Sequence, residues 1–102
     1  MPDPKPVYLI SNYTVTDPES MARYVQEAGP IVREFGGRLI ALDQNVTRIE
    51  GSAEAGLVII EFPDMETVRA FYDAPEYAAI KHLRTDATTG GFLIFAESFS
   101  PS

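Results

Sequence analysis

Leu57-Val58-Ile59-Ile60-Glu61-Phe62 is the stretch on which the fold turns. Rich in β-branched residues and closed by Pro63, it reads as a strand, whose side chains alternate between the two faces of a sheet. Leu57, Ile59 and Glu61 point one way; Val58, Ile60 and Phe62 point the other. An antiparallel sheet with one wet face alternates apolar and polar residues. Here both faces are apolar. Phe92 to Phe99 repeats the pattern, with Phe92, Ile94 and Ala96 opposed to Leu93, Phe95 and Phe99.

Outward from this strand the elements follow in a legible order. Toward the N-terminus, Glu50 to Gly56 is a hairpin loop, and Arg38 to about Ile49 reads as the strand before it. Val7 to Val15 is a first strand. Asp17 is an N-cap and Pro18 suits a first helical turn. Met21, Tyr24, Val25, Ala28, Ile31, Val32 and Phe35 then recur at helical spacing. Gly29-Pro30 interrupts that stripe, and Gly36-Gly37 ends it. Toward the C-terminus, Asp64 caps a helix running to about Tyr72, and Pro75 opens a short one through about Arg84. Thr85 to Gly91 is a polar loop before the last strand. The order βαββαβ is the split βαβ arrangement of a ferredoxin-like α+β sheet. Right-handed crossovers give an antiparallel sheet in the order 4-1-3-2, with both helices on one face.

The other face needs a cover, because it exceeds the apolar patch a monomer exposes. A second copy packed face to face in a two-fold homodimer supplies one. The alternative is that the short helix and the N-terminal arm shield it. That arm, residues 1–6, alternates prolines and is expected to be stiff and extended, ahead of a single domain over residues 7–99.

The chain has 102 residues and no cysteine, which excludes disulfides, thiolate zinc sites and cysteine nucleophiles. Acidic side chains outnumber basic ones 15 to 8, and a net charge of -7 argues against nucleic acid as a partner. Neither a basic start with an apolar run nor a membrane-length segment is present, so a cytoplasmic protein with no membrane partner is expected.

Several of these segments also resemble a known family. Tyr8 to Asp17, Phe35-Gly36-Gly37-Arg38, Glu61-Phe62-Pro63, and Phe71-Tyr72-Asp73-Ala74-Pro75-Glu76-Tyr77 followed by Arg84 are similar to the bacterial domain-of-unknown-function family numbered 1330. The resemblance spans nearly the whole chain. It implies the dimeric α/β-barrel superfamily, which also holds cofactor-free monooxygenases, small isomerases and haem enzymes. It implies no established activity.

Candidate chemistry is sparse. His82, the sole histidine, lies about 130° from the apolar centre of its helix and reads as solvated surface. It has no second ligand at metal-like spacing, so neither a metal nor another cofactor is expected. Glu61 is the candidate acid or base. It and Glu97 are expected to flank the start of the first strand, about 10 Å apart, where partial burial raises a carboxyl pKa toward a useful range. The competing reading pairs Glu61 with Arg38 or Arg84. Arg84 can lay its stem on the core and turn its fork inward, to clamp a ligand carboxylate or to pin Glu61 or Glu76. Tyr13, Tyr72 and Tyr77 suit an apolar pocket with a polar end. Ser11 and Asn12 sit mid-strand, where each needs a partner, a ligand or a water. The site residues expected are therefore Glu61 for catalysis and Ser11, Asn12, Tyr13, Tyr72, Tyr77 and Arg84 for ligand binding. Two functions follow. One is a small, mostly apolar metabolite bound between sheet and helices, with cofactor-free acid–base chemistry of the isomerase or monooxygenase kind. The alternative is a non-catalytic structural or interaction dimer.

Overall fold

Two aspartates start the principal helices. In a computed structural model that describes residues 5–99, the Asp17 carboxylate accepts from the Ser20 amide at 3.2 Å and opens α1, Pro18–Glu34. The Asp64 carboxylate accepts from the Thr67 amide at 2.7 Å and opens α2, Met65–Asp73. Each satisfies an amide that the first helical turn leaves without an intrahelical partner. Hydrogen bonds from the Thr67 side chain first, and then from its backbone amide, favour the charged carboxylate of Asp64 and hold its pKa below the usual range. At the far end of α1, Gly36 takes a φ of 78°, a left-handed conformation that reverses the chain into the next strand.

Four strands form one antiparallel sheet: β1 (Val7–Val15), β2 (Arg38–Asp43), β3 (Gly56–Phe62) and β4 (Thr88–Glu97). Their order, β2-β3-β1-β4, is the 4-1-3-2 order expected, and the fold is ferredoxin-like. Two short helices, α3 (Pro75–Ala78) and α4 (Lys81–Thr85), replace the single one expected through Arg84. Of the N-terminal arm, only Lys5 and Pro6 fall within the described residues.

Two strand boundaries differ from expectation. β2 ends at Asp43 rather than near Ile49. The Asp43 carboxylate accepts from the Asn45 amide at 2.9 Å, a side-chain turn that takes the backbone out of the ladder. β4 starts at Thr88 rather than Phe92, because Thr88 and Thr89 pair with Val15 and Thr14 across a register shift. The glycines read as a loop lie inside this strand.

The helices cover the face that carries Val7, Leu9 and Phe62. Phe71 of α2 is the centre of the core, with its ring centroid 5.2 Å from Phe62 and 4.6 Å from Tyr77. The opposite face is bare. Register places Ile94, Ile10, Ile59 and Ala41 in one row across all four strands, with Phe92, Asn12 and Leu57 in the next. Phe92 and Ile94 are 48% and 46% exposed. The chain is a slab of 45 × 37 × 16 Å with a radius of gyration of 14.2 Å, against about 13 Å for a compact domain of this size. Among the described residues, no helix is long and apolar enough to cross a membrane.

Candidate functional site

A cavity of about 490 Å³ lies between α1 and the helix-covered face of the sheet. α1 packs through Met21 against Tyr13 and Ala87, and further along approaches α3 and α4 through Tyr24. It stands away from β2 and β3, and the gap is the cavity. Leu9, Val58, Ile60 and Leu93 form its floor, while Ala28 and Val32 form part of its roof. Leu39, Leu42 and Val25, each about half exposed, rim the side toward the β2 edge.

One end is polar. The Tyr24 and Tyr77 hydroxyls are hydrogen-bonded at 2.8 Å, and Arg84 Nε donates to the Tyr77 hydroxyl at 3.3 Å. Burial first, then the neighbouring Tyr77, pushes the Tyr24 phenol far above its usual range, so it keeps its proton. For Arg84, burial acts to lower the pKa, but the phenols of Tyr77, Tyr24 and Tyr72 more than offset it. The net shift is upward and the guanidinium stays cationic. Local bonds set its position. The Ser20 hydroxyl donates to the Leu83 carbonyl at 3.0 Å, and the Thr88 hydroxyl donates to the Arg84 carbonyl at 2.9 Å. These tie α4 to the start of α1 and to β4. Toward the other end stand Ser11 and Tyr13. Burial raises the Tyr13 phenol pKa, and a hydrogen bond with Gln44 acts against that rise.

The structure thus brings four of the expected residues, Ser11, Tyr13, Tyr77 and Arg84, into one cavity. Asn12, Tyr72 and Glu61 lie elsewhere. Asn12 points to the opposite side of β1 from Ser11 and is only 5% exposed. Its amide donates to the carbonyls of Glu54 and Gly56 at 3.0 and 2.7 Å and accepts from the Glu54 amide at 3.0 Å, so it clamps the connection before β3. Tyr72 packs on Phe95 and Tyr77, with Lys81 Nζ 4.9 Å from its ring centre.

Glu61 is on the bare face, 3.0 Å from Arg38. Register separates it from Glu97, which pairs with Val7 while Glu61 pairs with Tyr8. Both flank the start of β1 as expected, but a one-residue offset along a strand reverses the face, so the two carboxylates point to opposite sides of the sheet. The Arg38 and Glu61 side chains are 71% and 25% exposed, and such solvated pairs are worth about 0–1 kcal/mol. Glu61→Gln is therefore expected to lower stability by less than about 1 kcal/mol and to leave cavity binding unchanged. Urea unfolding together with a ligand titration checks both. A loss of binding in this variant would return Glu61 to the site.

Tyr24 is a cavity residue that the sequence reasoning does not single out, because it stands in the apolar stripe of α1. Its hydroxyl at helical spacing was a signal, but its partner is 53 positions away. His82 is exposed on α4. Among the described residues, no three His, Asp or Glu side chains come together as a metal site would require.

The chain belongs to the DUF1330 family, described as a domain of unknown function, whose model matches residues 6–98. Among curated proteins nothing matches. Solved structures show the same fold. A Rhodopseudomonas palustris protein of unknown function has a TM-score of 0.81 at 18% identity, over 95% of this chain and 85% of that one. A dimeric ferredoxin-like protein of unknown function from Bacteroides fragilis has 0.62 at 12%, over 95% and 100%. SnoaB, a cofactor-independent oxygenase from Streptomyces nogalater, has 0.64 at 11%, over 96% and 95%.

Proposed function

We propose that this chain binds a small, mostly apolar molecule in the cavity between α1 and the sheet, and that it does so as a homodimer joined through the bare sheet faces. One observation carries the binding reading: the cavity of about 490 Å³ has mostly apolar walls with a few polar side chains among them, Tyr24, Tyr77 and Arg84 at one end and Ser11 and Tyr13 toward the other. That volume and that distribution are what small-molecule sites use. A filled core would leave no such gap, and buried phenols beside a guanidinium have no packing value that phenylalanine and leucine would not supply.

The polar end suits a ligand oxygen that carries or develops negative charge. Fixed donors in a dry site stabilise such an oxygen far better than water-exposed ones do. Cofactor-free isomerisation and oxygenation both need that stabilisation, and the likeness of fold to a cofactor-independent oxygenase supports this chemistry as the reaction class. The alternative, a non-catalytic dimer, draws on Asn12 and Glu61, both of which are engaged in structural bonds outside the cavity.

Filling the cavity separates the two readings. Val58 lies on its floor, half buried. Val58→Trp is expected to weaken binding of a neutral apolar dye such as N-phenyl-1-naphthylamine by about tenfold or more, equivalent to about 1.4 kcal/mol. The far-ultraviolet circular dichroism should be unchanged, because the added ring enters space that already exists. Dye uptake equal in both proteins, or absent in the native one, would favour the non-catalytic dimer.

A further inference from the structure

Resting on the cavity as the binding site, we infer that its ligand is an anion, specifically a small monocarboxylate whose apolar body lies over Val58 and Ile60 and whose carboxylate docks on Arg84 with the Tyr24–Tyr77 hydroxyl pair. The argument begins with charge. Asp and Glu outnumber Lys and Arg 15 to 8 in the chain, yet none of the residues lining the cavity is acidic, while Arg33 and Arg84 line it without a carboxylate partner among the described residues and Arg38, at its rim, is paired with Glu61. The sign of the wall is opposite to the sign of the molecule. A neutral apolar ligand has no use for that reversal, and a cationic one is opposed by it.

Arg84 also lacks the partner that usually accounts for a half-buried arginine. Among the described residues, the ion pairs join Arg23 with Glu27 and Arg38 with Glu61, and no carboxylate pairs with Arg84. Its company is three phenols, Tyr77, Tyr24 and Tyr72. A guanidinium is a planar fork that fits a carboxylate through two parallel bonds, and charge-assisted bonds of this kind are about twice as strong as neutral ones.

The phenols complete the cradle. Arg84 Nε–H donates to the Tyr77 oxygen, and the Tyr24 and Tyr77 hydroxyls share one hydrogen bond across 2.8 Å in which either can donate. Two hydroxyls carry two protons and that bond uses one, so one proton of the pair is left for an acceptor in the cavity. That hydroxyl and the guanidinium both donate, and together they ask for an acceptor that brings no proton of its own. A carboxylate is such a group. A primary amide of the same skeleton presents one acceptor oxygen and an NH₂ that the arginine repels.

The test uses that pairing. The native protein is titrated with straight-chain acids from hexanoate to decanoate and with 3-phenylpropanoate, each beside its primary amide, at neutral pH. Binding is followed by nuclear magnetic resonance at the amide signals of Val58 and Ala28. The acid of the best skeleton is expected to bind about tenfold or more tightly than its amide, the discrimination a buried charged hydrogen-bond pair gives. Tyr24→Phe should weaken the acid by about three- to tenfold and the amide by less than about twofold. Arg84→Gln should make acid and amide equal. If Arg84→Gln does not fold, the native ratio and Tyr24→Phe decide the question. Amides that bind as well as acids overturn the anion assignment and leave the cavity reading standing. If no acid and no amide moves the cavity signals, both fall together.

Discussion

Gly91→Ala is expected to lose about 2–4 kcal/mol of stability, from the left-handed penalty of about 1–2 kcal/mol together with displacement of a strand. Gly91 has a φ of 71° inside β4, where an L side chain already pays a steric penalty. The surroundings make it worse. A Cβ added there would run into the Asn12 carbonyl oxygen and lie 2.5 Å from its carbon. The obstacle is backbone, so no rotamer relieves it, and β4 has to move off β1. Asn12 is itself tied through its side chain to Glu54 and Gly56, so the shift reaches the β2–β3 connection too. Chemical unfolding is expected to show the midpoint falling sharply, with Gly90→Ala a useful neighbour because its added Cβ meets the Glu54 side chain instead. A Gly91→Ala protein as stable as the native one would mean that the register shift between Asn12 and Thr14 is absent.

That same glycine marks the limit of sequence reading. Thr88-Thr89-Gly90-Gly91 has the composition of a turn, and only the pairing of Thr88 with Val15 and Thr89 with Thr14 makes it a strand with a bulge. Such pairing is a long-range fact that local propensity does not contain. Elements whose causes are local were legible. Asp17-Pro18 and Asp64 start helices by bonds three residues long, and β1 carries its own β-branched and aromatic run. The βαββαβ order then leaves little freedom, since crossover handedness fixes the strand sequence. β2 was read too long because Val46 and Ile49 look like strand residues, while the Asp43 turn that ends it depends on one side-chain bond.

The site divides in the same way. Arg84 and Tyr77 are readable because helical phase turns Tyr77 toward the core and lets the Arg84 stem lie along it with the fork inward. Ser11 was readable because a polar residue inside a buried strand requires a reason. Asn12 presented the identical signal, yet the pleat turns it to the other side, where backbone carbonyls satisfy it. Glu61 was drawn in by its apolar neighbours, Leu57 and Ile59, which share its face. That face is not the one with the cavity. The apolar character of both faces was visible in the sequence, but which face would keep a gap depends on how far α1 stands from β2 and β3.

The bare face leads to the second large effect. Light scattering is expected to show the native chain as a dimer at micromolar concentration and Ile94→Lys as a monomer. Four strands about 4.8 Å apart, each about 20 Å long, make a projected face of roughly 400 Å², and its accessible area is larger because side chains stand out from it. The projected face alone is of the size of the largest apolar patch a monomer exposes and about half of the roughly 800 Å² per partner of a standard interface. Two-fold packing brings the Ile94–Ile10–Ile59 row of one copy against the same rows of the other. Each substitution then counts twice. Burying an unpaired ammonium at about 2 kcal/mol or more per copy weakens the dimer by about a thousandfold, since 1.4 kcal/mol is a factor of ten. Ile94 is 46% exposed in the single chain, so a lysine there is solvated in the monomer and the fold survives. Circular dichroism of Ile94→Lys should therefore match that of the native protein while its mass halves. A native chain that scatters as a monomer on dilution through the micromolar range would leave the face covered by something other than its own copy. Retention of the dimer by Ile94→Lys would move the interface to another surface, and the exposed β2 edge with Leu39, Ile40 and Leu42 is the place to look next.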